Sequence, residues 1–221
     1  MKSLLFDYGG TLDADGTTWL ERFLPLYKEA GLNVPPERLE RAFYDSDDNL
    51  HTRHALKGLD LAQTVRLQVA DVIKAAAPDR GDLIDPITDR FVADCRGQFK
   101  RLAPVLGRLS ERYRLGVVSN FYGNLEGLLA AEGLRPYFTV VADSGVLGVI
   151  KPEAAIFLHA AKAVGADPAD CVMVGDSIKR DMKGAEGVGM KRALISLADK
   201  APDAGQDWTI RSVVELEGVL R

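Results

Sequence analysis

Three carboxylates closely follow short apolar runs of the sequence. Asp7 comes directly after the run at residues 3–6, Asp176 comes just after the run at residues 171–174, and Asp181 lies in the following turn. If these runs are parallel strands, their carboxyl ends share one edge of a sheet and the three acids converge there. Crowded carboxylates repel each other unless a cation neutralises them, and hard oxygen ligands favour Mg²⁺. The pattern therefore predicts an Mg²⁺ site at this edge.

Groups that suit a phosphate lie near the same predicted edge. Ser119 and Asn120 end another apolar run, and Lys151 stands in a loop before a predicted helix. A hydroxyl, an ammonium and the backbone N–H of a glycine such as Gly10 are groups that bind phosphate oxygens. The residues by themselves therefore predict Mg²⁺ together with a phosphate.

The elements that must position these residues are of two kinds. Five short apolar runs predict strands buried on both faces of a parallel sheet, at residues 3–6, 115–118, 138–141, 171–174 and 192–195. Helical patterns alternate with the later runs, at residues 104–113, 125–132, 152–164 and 180–187, and a closing helix is expected at 212–220. This alternation predicts right-handed crossovers and an α/β fold with a doubly wound parallel sheet.

A block of helical patterns separates the first strand from the second. Helices are predicted at residues 19–30, 37–46, 61–77 and 86–100. The acidic run at residues 45–48 is expected to be a polar loop rather than a second metal site. Ligands of open α/β sheets bind outside the carboxyl ends of the strands, so a block inserted there is best explained as a cap. We therefore expect an α/β core of residues 1–14 and 102–221 and an α-helical cap of residues 15–101.

Composition limits the classes of function. The chain has 221 residues, is 47% hydrophobic and carries a formal net charge of −4, which is ordinary for a globular protein and does not favour a nucleic-acid partner. The apolar start of the chain leaves no room for a signal peptide, and no run is long enough for a membrane span. Cys95 and Cys171 are expected to be buried, reduced thiols, which favours a cytoplasmic location.

Together these motifs resemble those of the haloacid dehalogenase-like (HAD) hydrolase superfamily over essentially the whole chain. They occur in order, and they comprise Asp7 to Asp13, Ser119-Asn120, Lys151-Pro152, and Gly175-Asp176 with Asp181. The helical block is similar to the α-helical cap of that family. The resemblance implies a Rossmann-like core and Mg²⁺-dependent hydrolysis of a small phosphorylated metabolite, with no nucleic-acid or membrane partner.

The resemblance also implies a role for each motif residue. Asp7 would be the nucleophile that forms an aspartyl-phosphate, and Lys151 would balance its charge. Ser119, Asn120 and Gly10 would bind the substrate. The metal ligands would be Asp7, the backbone carbonyl of Gly9, Asp176 and Asp181, the last directly or through water.

Gly9 departs from the pattern of the family. Phosphatases of the superfamily resemble Asp-x-Asp, in which the second carboxylate protonates the leaving group and later activates water. With glycine at this position, the enzyme either acts on leaving groups that need no proton, or takes the acid from the substrate or a cap residue, or binds phosphorylated ligands without turnover. We therefore expect altered or weakened acid–base catalysis.

Two alternatives remain open at this point. Dehalogenases of the superfamily also use the first aspartate as nucleophile, but they attack carbon without a metal and lack the Gly-Asp pair that stands here at Gly175 and Asp176. A catalytically impaired protein that binds a phosphorylated ligand is the other alternative. Mg²⁺ dependence separates the first alternative from a phosphatase, and trapping of an acyl-phosphate mimic on Asp7 tests the second.

Overall fold

A six-stranded parallel sheet forms the centre of the protein. The computed structural model describes residues 2–199 and 201–220. The strands are β1 (Ser3–Phe6), β2 (Arg114–Ser119), β3 (Phe138–Asp143), β4 (Cys171–Gly175), β5 (Lys191–Ile195) and β6 (Trp208–Ile210). Their order is β3-β2-β1-β4-β5-β6, and every neighbouring pair is parallel. The strand order therefore reverses at β1, which is where ligands of such sheets bind.

Helices cover both faces of this sheet. Leu4 and Phe6 belong to one buried cluster, whereas Leu5 between them belongs to the other, as the two-residue period of a strand requires. The helices of the α/β core are α5 (Leu125–Ala131), α6 (Ser144–Leu147), α7 (Ala154–Ala163), α8 (Lys183–Gly187) and α9 (Leu216–Val219). The predicted doubly wound sheet is confirmed, with β6 as an additional strand. Because β6 has three residues and only Ile210 is fully buried, it leaves no apolar run in the sequence.

Four helices lie between β1 and β2, and we refer to them together as the helical insert. They are α1 (Trp19–Glu29), α2 (Pro36–Arg53), α3 (Leu61–Ala76) and α4 (Ile84–Ser110). Reciprocal side-chain caps start two of them, since Thr18 pairs with Glu21 before α1 and Asp60 pairs with Gln63 before α3.

Within the described residues, no helix combines the length and the apolar character that a membrane span requires.

Two predictions about the insert are wrong. Helix α4 is continuous, although a break before Pro104 was expected. The buried side chains of Leu102, Val105 and Leu106 form one apolar face across this position, and their burial outweighs the backbone hydrogen bond that proline cannot donate. The acidic run at residues 45–48 is not a loop but lies within α2, whose 18 residues extend well past the expected end.

The insert packs directly on the core. A single buried cluster contains Leu4 and Phe6 of β1 together with Phe23 of α1 and Phe91 of α4. The rings of Phe23 and Phe91 stack with their centroids 4.0 Å apart, and Trp19 contacts Phe91 edge-on. Burial of these aromatic side chains fixes the insert above the carboxyl end of β1.

Candidate active site

The predicted motif residues converge at the carboxyl edge of the sheet. Asp7 follows β1, Ser119 ends β2 and Asp176 follows β4, and these three strands are neighbours in the order β2-β1-β4. Lys151 reaches the same place from the loop before α7. Asp181 lies in a π-helical turn, Ile178–Met182, that follows Asp176. The strand ends bring together residues that are up to 174 positions apart in the sequence.

One oxygen of Asp7 accepts three hydrogen bonds. The donors to Oδ1 are the backbone N–H of Tyr8 at 2.7 Å, the hydroxyl of Ser119 at 2.8 Å and the ammonium of Lys151 at 2.7 Å. Asp7 is 5% exposed, so this arrangement is shielded from bulk water. The three contacts fix the carboxylate and leave its second oxygen, Oδ2, for attack on a substrate or for a metal.

Lys151 is buried between two carboxylates. Its Nζ lies 2.7 Å from Oδ1 of Asp7 and 2.7 Å from Oδ1 of Asp181, and the residue is 2% exposed. Burial on its own would lower the pKa of Lys151, but the charges of Asp181 and Asp7 and their hydrogen bonds outweigh it and raise the pKa. Lys151 therefore stays protonated and carries a fixed positive charge beside Asp7.

Asn120 holds the backbone of Lys151 in place. Its Oδ1 accepts from the N–H of Lys151 at 2.7 Å, and its Nδ2 donates to the carbonyl of Lys151 at 3.1 Å. Both polar groups of the amide are used in this way. Asn120 lines the cavity described below, and its hydrogen bonds position Lys151.

Asp7, Asp176 and Asp181 form a group that is suited to a divalent cation. One oxygen from each of the three lies within 4.8 Å of the others. Burial raises the pKa of Asp176, and repulsion from Asp7 and Asp181 raises it further. Burial also raises the pKa of Asp181, and the charge of Lys151 offsets part of that increase. Because a cation would relieve this repulsion and the donors are all hard oxygens, the residues fit Mg²⁺.

The three carboxylates differ in how they are held. Asp181 uses both oxygens within the protein, since Oδ1 contacts Lys151 and Oδ2 accepts from the N–H of Ser177 at 3.0 Å. Asp176 accepts from the hydroxyl of Thr11 at 3.2 Å. The hydroxyl of Thr11 therefore orients a candidate metal ligand.

Gly10 is placed differently from the expectation. Its N–H, predicted to bind a phosphate, donates instead to Oδ1 of Asp13 at 2.7 Å. Gly10 has φ of +80°, and a β-carbon there would lie 2.7 Å from Oδ2 of Asp176. Glycine is therefore required at this position so that the loop can turn closely past Asp176.

Asp13 ties the loop after β1 to the insert. Its buried carboxylate accepts from Nε1 of Trp19 at 2.5 Å and forms an ion pair with Arg22 at 2.8 Å, in addition to the bond from Gly10. No pattern in the sequence indicated these partners of Asp13 on α1. The nearby carboxylate of Asp15 is also engaged, by Gln98 and Arg101 of α4.

A cavity of about 150 Å³ lies between the core and the insert above Asp7. The core contributes Gly9, Ser119, Lys151 and Arg180 to its walls, among others. Helix α2 of the insert contributes Phe43, Tyr44 and Asp47. A ligand in this cavity would therefore contact both parts of the protein.

Gly9 lines this cavity and contributes no carboxyl group to it. A β-carbon at Gly9 would lie 3.7 Å from Nε1 of Trp19, which is an ordinary contact, so the fold itself does not require glycine there. Tyr8 is fully buried and packs against the rings of Phe99 and Phe121, and burial raises the pKa of its hydroxyl well above the usual value. Tyr8 is therefore no substitute for the missing carboxyl group.

Three residues around the cavity were not predicted from the sequence. Asp47 of α2 accepts a hydrogen bond from the hydroxyl of Tyr122, which lies in the loop after β2. Arg180 lies in the π-helical turn after β4. Asp47 lies beyond residue 46, where the helix was expected to end, so its place on a buried helix face was missed. No pattern in the sequence pointed to Tyr122 or Arg180.

Comparisons with known proteins agree with this geometry. The family model described as haloacid dehalogenase-like hydrolase matches residues 1–189. Haloacid dehalogenase-like hydrolase domain-containing protein 3 of Homo sapiens is 30% identical over 200 residues, which is 86% of this chain and 78% of that protein. Pyrimidine 5'-nucleotidase YjjG of Escherichia coli is 29% identical over 120 residues, 52% of this chain and 53% of that protein.

Solved structures are similar over the whole chain. A HAD phosphatase from Thermococcus onnurineus has a TM-score of 0.59 and 24% identity, and covers 100% of this chain and 98% of its own. A 2-haloacid dehalogenase from Pseudomonas syringae pv. Tomato has a TM-score of 0.52 with the same identity and coverage. These likenesses show the fold and leave the reaction open. The family model, which matches residues 1–189, establishes that the chain belongs to the haloacid dehalogenase-like hydrolases.

Proposed function

We propose that this hydrolase is an Mg²⁺-dependent phosphatase that acts on a small phosphorylated metabolite through an aspartyl-phosphate. The observation that carries the proposal is the group of Asp7, Asp176 and Asp181, whose oxygens lie within 4.8 Å of each other. This group adjoins the ammonium of Lys151 and the hydroxyl of Ser119. A divalent cation bound by the three carboxylates would, together with the ammonium of Lys151, place positive charge beside the substrate. This arrangement suits a phosphoryl group, which carries several negative charges.

Asp7 is the nucleophile in this proposal. Its Oδ1 is held by three donors, so Oδ2 attacks phosphorus while the bond from phosphorus to the leaving oxygen breaks. Lys151 neutralises the charge that gathers between Asp7 and the phosphoryl group, and Ser119 orients the carboxylate. Water then attacks phosphorus, which releases phosphate and restores Asp7.

The metal site consists of Asp7, Asp176, Asp181 and the backbone carbonyl of Gly9. Bound Mg²⁺ would supply positive charge for the phosphoryl oxygens and a fixed orientation of the substrate. Because both oxygens of Asp181 already have partners, we assign Asp181 to orientation of a metal-bound water. Thr11 keeps Asp176 in the position of a ligand.

The helical insert acts as the cap, with residues 15–101 as the cap domain and the remainder as the core. It closes the cavity above Asp7 with Phe43, Tyr44 and Asp47, so it excludes water and selects the leaving group. Gly9 removes the usual source of the proton, and acid–base catalysis is altered accordingly. The name of the relative YjjG, a pyrimidine 5'-nucleotidase, supports hydrolysis of a phosphoester.

The test is a panel of phosphorylated metabolites and of aryl and acyl phosphates, assayed for phosphate release with Mg²⁺ and with a chelator. We expect release that requires Mg²⁺ in the parent and no turnover in Asp7→Asn, with an unchanged circular dichroism spectrum. Turnover of Asp7→Asn at nearly the rate of the parent would refute the nucleophile. Binding of Mg²⁺ and of beryllium trifluoride without turnover would identify a phospholigand-binding protein instead.

Dehalogenation is the second candidate, and Gly9 is the observation that favours it. A halide leaves carbon without needing a proton, so a site without the second acid is compatible with that reaction. The acidic group around Asp176 argues against it, because the ammonium of Lys151 pairs with Asp7 and Asp181 but offsets the repulsion at Asp176 only in part. Release of halide from a 2-haloacid that persists in the presence of a chelator would establish this function.

A further inference from the structure

The proposed reaction needs a proton that Gly9 cannot supply. When a phosphoryl group moves to Asp7, the oxygen of the departing alcohol takes the bonding electrons and must be protonated. A positioned acid contributes about 10²- to 10⁴-fold to the rate of such a step. Asp13 and Asp15, the nearest carboxyl groups in the sequence, are bonded to residues of α1 and α4 and are not available.

Asp47 is the other carboxyl group among the described residues that line the cavity with Asp7. It lies one helical turn after Phe43 and one turn before Leu50, and both of these side chains are buried. Asp47 is therefore on the face of α2 that packs inward. Helix α2 brings it to the cavity from the side of the insert, opposite the strand end that holds Asp7.

The hydrogen bonds of Asp47 orient its carboxyl group. The hydroxyl of Tyr122 donates to Oδ1, and Nε2 of Gln68 on α3 donates to the same oxygen at 3.4 Å. Tyr122 remains protonated, because burial raises the pKa of its hydroxyl well above the usual value. Both bonds fall on Oδ1, which leaves Oδ2 to carry a proton.

The surroundings of Asp47 favour its protonated form. Burial raises the pKa of Asp47, and the charge of Asp48 on the same helix adds to the increase. The hydrogen bond from Tyr122, the charge of Arg180 across the cavity and the bond from Gln68 offset it only in part. A raised pKa makes a carboxyl group better able to hold a proton and to donate it to a leaving group.

We infer that Asp47 of the helical insert is the general acid and base of the reaction and occupies the role that Gly9 leaves vacant. This inference rests on the proposed phosphatase function. In the first step Oδ2 of Asp7 bonds to phosphorus, the bond to the leaving oxygen breaks, and that oxygen takes the proton of Asp47. In the second step the Asp47 carboxylate removes a proton from the attacking water, the bond from Asp7 to phosphorus breaks, and Asp47 is protonated again.

The test compares Asp47→Asn with the parent on a series of alkyl and aryl phosphates whose leaving groups differ in pKa. Asparagine keeps the shape of the side chain and an oxygen that can accept from the hydroxyl of Tyr122, but it cannot donate a proton to the leaving group. We expect kcat/KM for alkyl phosphates to fall about 10²- to 10⁴-fold. For aryl phosphates with acidic leaving groups, the rate of phosphorylation of Asp7 should change little. The exposed Glu40 of the same helix gives the matched control, Glu40→Gln, which should retain the rates of the parent.

Two further variants separate catalysis from structure. Tyr122→Phe removes a hydrogen bond that lowers the pKa of Asp47. The alkaline limb of the pH profile of this variant, measured on alkyl phosphates, should therefore move to higher pH.

Gly9→Asp restores the carboxyl group at the position used by related phosphatases, where a β-carbon meets only Trp19 at 3.7 Å. Added to Asp47→Asn, it should recover much of the lost rate on alkyl phosphates.

The outcomes are distinguishable from those that test the proposed function. If phosphate release depends on Asp7 but Asp47→Asn leaves kcat/KM unchanged, or lowers kcat/KM equally whatever the leaving group, then Asp47 is not the acid and only this inference fails. If the parent releases no phosphate from any substrate, both proposals fail together. Melting temperatures of the variants, measured beside the parent, show whether each variant is folded.

Discussion

The ammonium nitrogen of Lys151 lies 2.7 Å from Oδ1 of Asp7, and both groups are buried. The same nitrogen lies 2.7 Å from Asp181, so one cation balances two of the three carboxylates in the group. This pairing explains how three acids can be folded together at the end of β1. It also leaves the group with excess negative charge, which a divalent cation would neutralise.

Removal of the Lys151 charge should impair both stability and activity. Lys151→Met leaves Asp7 and Asp181 buried without their cation, and breaking a buried ion pair in this way costs about 3–5 kcal/mol. Urea denaturation measures the loss in free energy of unfolding. Lys179→Met, at an exposed position in the same turn, should change stability by less than about 0.5 kcal/mol. Equal stabilities of the two variants would contradict the pairing.

Asp176→Ala should chiefly weaken the binding of Mg²⁺. At a concentration 100 times its Kd, a bound ion stabilises the folded state by about 2.7 kcal/mol, which raises Tm of a domain of this size by about 5–10 °C. The parent should show this increase on addition of Mg²⁺, and the variant should not. Thr11→Val, which only removes the hydrogen bond to Asp176, should retain most of it. An increase in Asp176→Ala as large as in the parent would place the ion elsewhere.

Ser119→Ala should slow the reaction without unfolding the protein. The hydroxyl of Ser119 is one of three donors that hold Oδ1 of Asp7, and a nucleophile that is misplaced by about 1 Å can lose about 10²-fold in rate. Steady-state assays on the best phosphorylated substrate give the measurement. Ser110→Ala, at the exposed end of α4, is the control. A kcat of Ser119→Ala within twofold of the parent would show that Asp7 does not need this bond.

Asp13→Ala should destabilise the attachment of the insert to the core. It would leave Arg22 buried without its partner and remove the acceptor for Trp19 and Gly10, at a cost of about 3–5 kcal/mol. The free energy of unfolding should fall by this amount, and that of the exposed control Asp94→Ala should not. A stability equal to that of the parent would show that the ion pair is unimportant to the fold.

The sheet and the convergence of its motif residues could be predicted because they follow from local patterns. Each of β1, β2 and β4 is an almost unbroken apolar run, and the polar residue at its end marks the edge of the sheet. Parallel pairing then places Asp7, Ser119 and Asp176 together whatever the details of packing. Strand β6 escaped prediction because its three residues, of which only Ile210 is buried, carry too little of this pattern.

The parts that depend on contacts between distant segments could not be predicted. Whether Asp47 faces solvent or the cavity is decided by how α2 packs over the loop that holds Tyr122, 75 residues away. The continuity of α4 through Pro104 depends on the apolar surface that its face covers. The N–H of Gly10 was expected at a phosphate, and only the position of Asp13 in the fold shows that it is already bonded.

The central claim, that Asp7 carries the phosphoryl group, is tested most directly by acid quenching during turnover of an acyl or aryl phosphate with Mg²⁺. Mass spectrometry of the digested protein then locates any phosphoryl group. We predict a phosphoryl group on the peptide that contains Asp7, and its loss in Asp7→Asn. Sustained phosphate release by Asp7→Asn, or a phosphoryl group on another residue, would contradict the account.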